Sequence, residues 1–329
     1  MGLIGHNNTK ERISIALKSA AARNSCIPHM LLAGAAGCGK TTTARWLASV
    51  GDYDFLPVSP LVLKSKKDVY NLLSKLNTIG YNNTGDRVGK IKPTILFFDE
   101  IHQMPVIGQE VLGIAMERFD LESDEVNKLI WLPYFAVIGA TTDDGLLTKP
   151  FRERFKIKLL YTAYSDKDMY KIVCFHTSKN ELSITPKAIR CIVNRSRGIP
   201  RTMVSYLETI RDFMIVYKAD IITSNLVEST FKSLGVDKTG LTPVDIGILK
   251  ALYGAEKPIG VENLSIITNE SIKVISQTTE PYLIQRGLIL RTGKGRIITQ
   301  EGRNYLEEHG HLGGKNSQKI FIDVTHTRR

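Results

Sequence analysis

A P-loop α/β domain built on a parallel sheet, a small all-helical domain and a C-terminal winged helix are the architecture this 329-residue sequence predicts. Three observations point there. The octapeptide Gly34-Ala-Ala-Gly-Cys-Gly-Lys40-Thr41 follows the apolar run Met30-Leu-Leu-Ala33 and precedes a helical pattern. Two more apolar runs, Thr94-Ile-Leu-Phe-Phe98 and Phe135-Ala-Val-Ile-Gly139, alternate with helical stretches, as the strands of a parallel sheet do. From Pro243 onward, three short helical patterns lead into a two-stranded ribbon, the element order of a winged helix-turn-helix.

Each element has a local cause. Ile13, Ala16, Leu17 and Ala20 recur at helical spacing and give an amphipathic helix over 10–22 ahead of the first strand. The glycine loop feeds a helix through Thr41–Ser49, and another helix is expected around Glu110–Glu117. The polar stretch from Gly80 to Lys90 reads as a surface insertion, closed by Pro93 before the second strand. After Tyr164 the texture turns helical. Asp166–His176 forms one helix, Thr185-Pro186 starts another, and a third runs from Pro200 through Tyr217 with Val204, Leu207, Ile210 and Met214 on one face. Helices near 243–253, 260–267 and 271–286 precede the strand Leu288-Ile-Leu-Arg291, the turn Thr292-Gly-Lys-Gly295 and the strand Arg296-Ile-Ile-Thr299. The expected domains are therefore 1–158, 159–236 and 237–310, with 311–329 a polar tail.

Composition excludes several classes. No apolar run reaches the roughly 18 residues of a membrane span, and the N-terminus lacks a basic region followed by an apolar stretch. Cys26, Cys38, Cys174 and Cys191 form no C-x-x-C pair, so neither a zinc site nor a disulfide framework is expected, and a reducing cytoplasm suits the chain. The net charge of +11 is spread evenly: 20 basic against 16 acidic groups in 1–158, 12 against 8 in 159–239, and 12 against 9 in 240–329. Charge alone is thus compatible with a polyanionic partner without singling one out.

The chemistry is carried by strand ends. The 34–41 loop fits G-x-x-x-x-G-K-[ST], whose glycines let successive backbone N–H groups turn inward on a polyphosphate at the positive end of the next helix. Lys40 would reach the β- and γ-phosphates of a nucleotide and Thr41 would ligate Mg²⁺. Asp99 and Glu100 end the second strand, at the carboxyl edge where parallel sheets bind ligands. Asp99 would hold Mg²⁺ through water, and Glu100 would orient or deprotonate the attacking water. Thr141, at the end of the third strand in Gly139-Ala-Thr-Thr142, is expected to sense the γ-phosphate. Arg154, in Arg152-Glu-Arg-Phe155, suits a finger offered to a neighbouring subunit's γ-phosphate. Arg201, in Gly198-Ile-Pro-Arg201, could lie over bound phosphates and report nucleotide state to the helical domain.

The order of these motifs resembles that of AAA+ ATPases with their helical lid. Asp99-Glu-Ile-His102, Ile138-Gly-Ala-Thr-Thr142, Arg195-Ser-Arg-Gly-Ile-Pro-Arg201 and Glu280-Pro-Tyr-Leu-Ile-Gln285 through Arg296 narrow it, since they are similar to RuvB, the bacterial Holliday-junction branch-migration motor. The resemblance runs from about Leu3 to Tyr305. It implies ATP and Mg²⁺ as cofactors, duplex arms of four-way DNA junctions as substrate, a homo-hexameric ring, and a RuvA-like junction-binding partner. It implies nucleotide contacts for Ile4, Gly5, Gly37, Cys38, Gly39, Lys40, Thr41, Thr42, Tyr164 and Arg201, and catalytic roles for Asp99, Glu100, Thr141 and Arg154. It also implies DNA contacts for Arg291, Lys294 and Arg296, which would meet phosphates irrespective of sequence.

Some positions depart from the family pattern. A further N-terminal segment with an Arg-Pro pair usually precedes the Ile-Gly motif, here Ile4-Gly5, so altered adenine contacts are expected. Glu117 is followed by Arg118 where the family usually has a second acidic residue, and Phe119–Pro133 is shorter than the family's RuvA-engaging hairpin. An alternative class stays open at this level: an AAA+ DNA-binding switch, such as a replication initiator or a helicase or clamp loader, would share the layout.

Overall fold

The computed structural model describes residues 3–78, 92–123 and 128–311, so the expected 80–90 insertion and the 312–329 portion of the tail lie outside the described residues. The first unit comprises residues up to His176 together with Gly198–Val204. In chain order it contains α1 (Asn7–Ala22), β1 (Met30–Gly34), α2 (Lys40–Gly51), β2 (Asp54–Val58), α3 (Lys66–Thr78), β3 (Thr94–Phe98) and α4 (Val106–Arg118). The hairpin β4 (Asp120–Ser123) and β5 (Lys128–Trp131), then β6 (Phe135–Thr141), α5 (Lys149–Glu153), β7 (Ile157–Tyr161) and most of α6 (Asp166–Lys179) complete it.

Five strands form one sheet in the order β2-β3-β6-β1-β7, every pairing parallel. Successive side chains of a strand point to opposite faces, and in a sheet covered on both sides all of them are apolar. In β3, Leu96 and Phe98 join the core beneath α3, α4 and α5, while Ile95 and Phe97 join the core beneath α1 and α2. Likewise Phe135 and Val137 of β6 face one layer and Ala136 and Ile138 the other. Because β1 lies between β6 and β7, the loop leaving Gly34 emerges beside the end of β6 with β3 next in order, so three chemistry-bearing strand ends share one edge.

One buried polar residue ties this core together. His29, just before β1, has Nε2 at 2.9 Å from the Met116 carbonyl, and its Nδ1 accepts from the Val137 amide at 2.9 Å. Accepting at Nδ1 requires the neutral ring with its proton on Nε2. Burial lowers its pKa to about 4. The unfolded chain, with an ordinary histidine near 6.5, binds the proton first, so stability is complete above pH 6.5 and falls as pH drops towards 4. The expected loss is on the order of 3 kcal/mol. Melting curves of the wild type and His29→Gln between pH 7 and 4 check it, since the variant should lack this component of the acid sensitivity.

The second unit holds Thr177–Arg197 and the residues from Ser205 onward. It contains α7 (Pro186–Arg195), most of α8 (Pro200–Val216) and α9 (Ser224–Leu234), then α10 (Pro243–Tyr253), α11 (Val261–Thr268) and α12 (Ile272–Val274). A π-helical turn, Ile275–Thr279, joins α12 to α13 (Glu280–Gln285). The strands β8 (Ile289–Thr292) and β9 (Gly295–Ile298) and the helix α14 (Gln300–Glu308) follow. Thr242 caps α10 in a reciprocal box with Asp245. Leu249, Leu264, Leu283 and Leu306 close a winged-helix core of their own. β9 is flanked on both sides, by β8 and by Ile259 through a bridge to Arg296. By their contacts, α6 falls mainly in the first unit, and α7 and α9 fall in the second.

Candidate nucleotide site and DNA wing

A cleft of about 800 Å³ opens at the carboxyl edge of the sheet, lined wholly by residues of the first unit. Lys40, Thr41, Asp99, Glu100, Tyr164 and Arg201 all reach it. Lys40 starts α2 and is almost buried. Its Nζ donates to the carbonyls of Gly34 at 2.6 Å and Ala35 at 2.9 Å, so the loop folds around its own cation. Burial lowers the Lys40 pKa, against the opposing charges of Glu100 and Asp99.

Thr41 Oγ1 donates to Asp99 Oδ2 at 3.2 Å. A hydroxyl and a carboxylate this close, both on the cleft, are the oxygen pair a hard divalent cation accepts. Glu100 takes a left-handed backbone, φ 49°, at the turn after β3. Its Oε2 accepts from Thr142 twice, from the amide at 3.1 Å and from Oγ1 at 2.9 Å, and lies 3.3 Å from His102 Nδ1.

The role expected of Thr141 does not fit where the structure puts it. Thr141 is wholly buried, and its Oγ1 is occupied by the Asp143 amide at 3.0 Å and by His102 Nδ1 at 2.9 Å. It therefore cannot face a phosphate; it supports the loop. Thr142, one residue on, is exposed and touches the Glu100 carboxylate. Sequence reasoning passed over Thr142 because both residues share one motif, and what separates them is the end of the buried strand, which falls between Thr141 and Thr142.

The loop residues divide similarly. Gly37, Gly39 and Thr42 line the cleft. Cys38 does not: its side chain is buried in the core beneath α1 and α2, which raises its pKa, and its carbonyl lies 3.3 Å from His6 Nε2.

Tyr164 is wedged between Gly5, at φ 72°, and Gly39, at φ 88°; a Cβ on either would come within 2.7 Å of the tyrosine. Its ring meets His6 edge-on at 4.3 Å, and burial pushes its pKa up to about 12, so it stays a neutral hydroxyl. Leu3, Ile4, Phe175 and Val204 add apolar side chains to the cleft lining, which suits a planar base.

Arg154 is absent from the cleft lining. It follows α5, donating through Nη1 to the Pro150 carbonyl at 2.9 Å and through Nη2 to Glu117 at 3.3 Å. Its Nε is buried without a partner, and the guanidinium lies on Gly113 of α4. Arg291 and Lys294 are exposed on the wing. Arg296 is not. It is 7% exposed, with Nε and Nη2 given to Glu280 Oε2 at 3.2 and 2.6 Å. Its sequence-based reading as a free phosphate contact is corrected to a support for β9. Glu280 itself is buried, with Arg291 Nε at 3.8 Å from its other oxygen.

Three family models cover nearly the whole chain: the Holliday junction DNA helicase RuvB P-loop domain matches residues 1–160, the RuvB AAA lid domain 164–237, and the RuvB C-terminal winged helix domain 238–307. The chain belongs to the RuvB family. The Holliday junction branch migration complex subunit RuvB of Wolbachia sp. subsp. Drosophila simulans (strain wRi) is 34% identical over 309 residues, covering 92% of this chain and 91% of that protein. The subunit of the same name from Thermotoga maritima is 33% identical over 312 residues, 92% of this chain and 89% of that protein. Among solved structures, the Thermotoga maritima RuvB Holliday junction branch migration motor superposes with a TM-score of 0.77 at 32% identity, covering 92% of this chain and 95% of that one. A mutant of the same protein gives 0.78 at 33% identity, covering 93% and 96%. The RuvB-family assignment makes the cleft a nucleotide site. Among the described residues, no helix is long and apolar enough to cross a membrane.

The wing supports a prediction. Phosphate contacts displace counterions, so each one lost should lower the salt slope of duplex binding by about 0.9. Arg291→Ala and Lys294→Ala should each do so when affinity is measured across a salt series. Arg296→Ala should leave the slope unchanged but lower the melting temperature, because it strands Glu280 without its partner.

Proposed function

We propose that this RuvB-family chain is an ATP-driven DNA motor that migrates Holliday junctions, working as a homo-hexameric ring in the cytoplasm. The observation that carries the mechanism is the division of the catalytic groups. Lys40, Thr41, Asp99, Glu100 and Arg201 share one cleft, while Arg154, the remaining catalytic cation of the motif set, is held elsewhere on the same unit.

Lys40 exchanges the Gly34 and Ala35 carbonyls for phosphate oxygens when a nucleotide enters, and Arg201 faces the same phosphates from the start of α8. Thr41 and Asp99 hold Mg²⁺, which when bound withdraws charge from the phosphates. Glu100, released from Thr142, orients water and takes its proton. Thr142 thereby links the catalytic carboxylate to the end of β6. Arg154 enters a neighbour's cleft and stabilises the charge that develops in the transition state. Arg291 and Lys294 grip duplex phosphates without reading bases. A RuvA-class protein is the partner that would deliver the junction, and the shortened 119–133 segment is why the assay below is run with and without one.

The test is direct: purified protein, ATP, Mg²⁺ and a synthetic four-way junction, with and without a RuvA. Junction dissociation by the wild type that disappears in Lys40→Ala supports the reading. ATP hydrolysis with no dissociation under any condition rejects it and favours a switch that only holds DNA.

A further inference from the structure

The stretch Arg195-Ser-Arg197 precedes Arg201 in the sequence, yet neither of its arginines lines the cleft. Both guanidiniums are turned into the second unit and almost buried. Arg195 ends α7 and donates to the Asp237 carbonyl at 3.0 Å and to Glu228 of α9 at 2.7 Å, with Phe231 beneath its guanidinium at 4.7 Å. It thus fastens the linker that enters the winged helix to the lid helices.

Arg197 reaches further. Its Nε donates to the Gly240 carbonyl at 2.8 Å, and its Nη2 pairs with Asp245 in the first turn of α10. Its guanidinium also lies over the Tyr282 ring, 4.2 Å from the centroid. Tyr282 in turn donates to the Thr239 carbonyl at 2.9 Å. Asp245 is fully buried, so this ion pair is dry. A buried pair contributes little net stability over a well-packed apolar contact, but it admits only one geometry and is costly to break. Arginine alone supplies the flat, forked cation that can stack on a ring and bridge two acceptors at once.

The helix that receives Arg197 also holds the DNA wing. α13 carries Tyr282 and, two residues earlier, Glu280, whose carboxylate secures Arg296 of β9. A path therefore runs from Arg197 to the Tyr282 ring, along the backbone of α13 to Glu280, and from Glu280 to Arg296 of the wing, without leaving the second unit. At the other end, the chain passes into the first unit at Gly198 and reaches Arg201 three residues later. Arg197 takes a left-handed backbone, φ 55°, followed by Gly198 at φ 68°, a sharp exit from α7 that the side-chain contacts hold in place.

We propose that Arg197 is the positioning residue that couples ATP turnover to DNA movement: it locks the end of α7 to the winged helix, so that the chain continuing to Arg201 leaves from a point fixed on the winged-helix unit. The inference rests on the motor reading above. Arg197 touches no cleft residue, so its loss leaves nucleotide binding and basal hydrolysis in place and removes what DNA and ATP do to each other.

The experiment uses the full chain with Arg197→Met, Tyr282→Leu and the double variant. Basal ATP hydrolysis, its stimulation by linear duplex DNA, and junctions dissociated per ATP are measured. Arg197→Met should keep basal hydrolysis within about twofold and lose about tenfold in both DNA-dependent readouts, within the range of ordinary coupling between sites. Tyr282→Leu should act in the same direction, and the double variant should be no worse than Arg197→Met alone, since both remove one contact. Unchanged stimulation and unchanged junctions per ATP in Arg197→Met would overturn the proposal, as would losses that multiply in the double variant. Should Arg197→Met fail to fold, Tyr282→Leu decides by the same criteria, because it keeps the buried ion pair. A wild type that is stimulated by DNA but dissociates no junction counts against the motor reading only, and the stimulation ratio then decides the role of Arg197.

Discussion

Arg154→Ala should cut ATP turnover by about 10³-fold or more, the range in which arginine fingers act, while nucleotide affinity stays close to that of the wild type. The reason is geometric: Arg154 lines no part of its own cleft, so its removal takes nothing from the binding contacts of Lys40 and Arg201. The decisive measurement is mixing. Glu100→Gln subunits have a dead site but an intact finger, and Arg154→Ala subunits have an intact site but no finger. Combined in one ring, the two inactive proteins should recover a measurable fraction of wild-type hydrolysis, since each Arg154→Ala site flanked by a Glu100→Gln subunit regains its arginine. No recovery, in rings shown to contain both subunits, would place Arg154 in cis or outside the reaction.

Glu100→Gln by itself is the second large effect. Glutamine retains an oxygen that can accept from the Thr142 amide and hydroxyl, so the local geometry should survive. It cannot take a proton from water. Positioned general bases contribute about 10²- to 10⁴-fold, and hydrolysis should fall by that factor with ATP still bound. Two readouts separate this from a folding defect: an unchanged melting temperature, and ATP that remains unhydrolysed on the protein after rapid removal of free nucleotide. Substantial turnover in Glu100→Gln would mean that another group, with His102 at 3.3 Å the first to test, takes the proton.

Much of the site was legible in the sequence because P-loop chemistry is local. The loop, its lysine and the following threonine are contiguous, and Asp99-Glu100 stands at the end of an unbroken apolar run, which in a parallel sheet is a ligand-facing edge. The two edge strands escaped notice for a physical reason. β2 carries the exposed Pro57 in a half-buried run, and β7 alternates exposed Lys158 and Leu160 with buried Leu159 and Tyr161, so neither shows the continuous hydrophobicity of β3 and β6.

What the sequence by itself determined is the inventory: a nucleotide loop, an acidic strand end, a candidate finger, a lid arginine and a basic wing, in an order that places the chain in its family. What only the tertiary structure decided is which member of each adjacent set does the work. Thr142 rather than Thr141 meets Glu100, because Thr141 is the last, wholly buried residue of β6 and Thr142 is the first residue past the strand end, where the chain becomes exposed. Arg291 rather than Arg296 is exposed, because β9 is flanked on both sides and β8 is the outer strand; both arginines approach Glu280, but only the one on the inner strand is buried against it. Arg197, four residues from Arg201 in sequence, is instead paired with Asp245 within the second unit. Spacing along a chain names the groups available; burial and register, which depend on residues far away in sequence, choose among them.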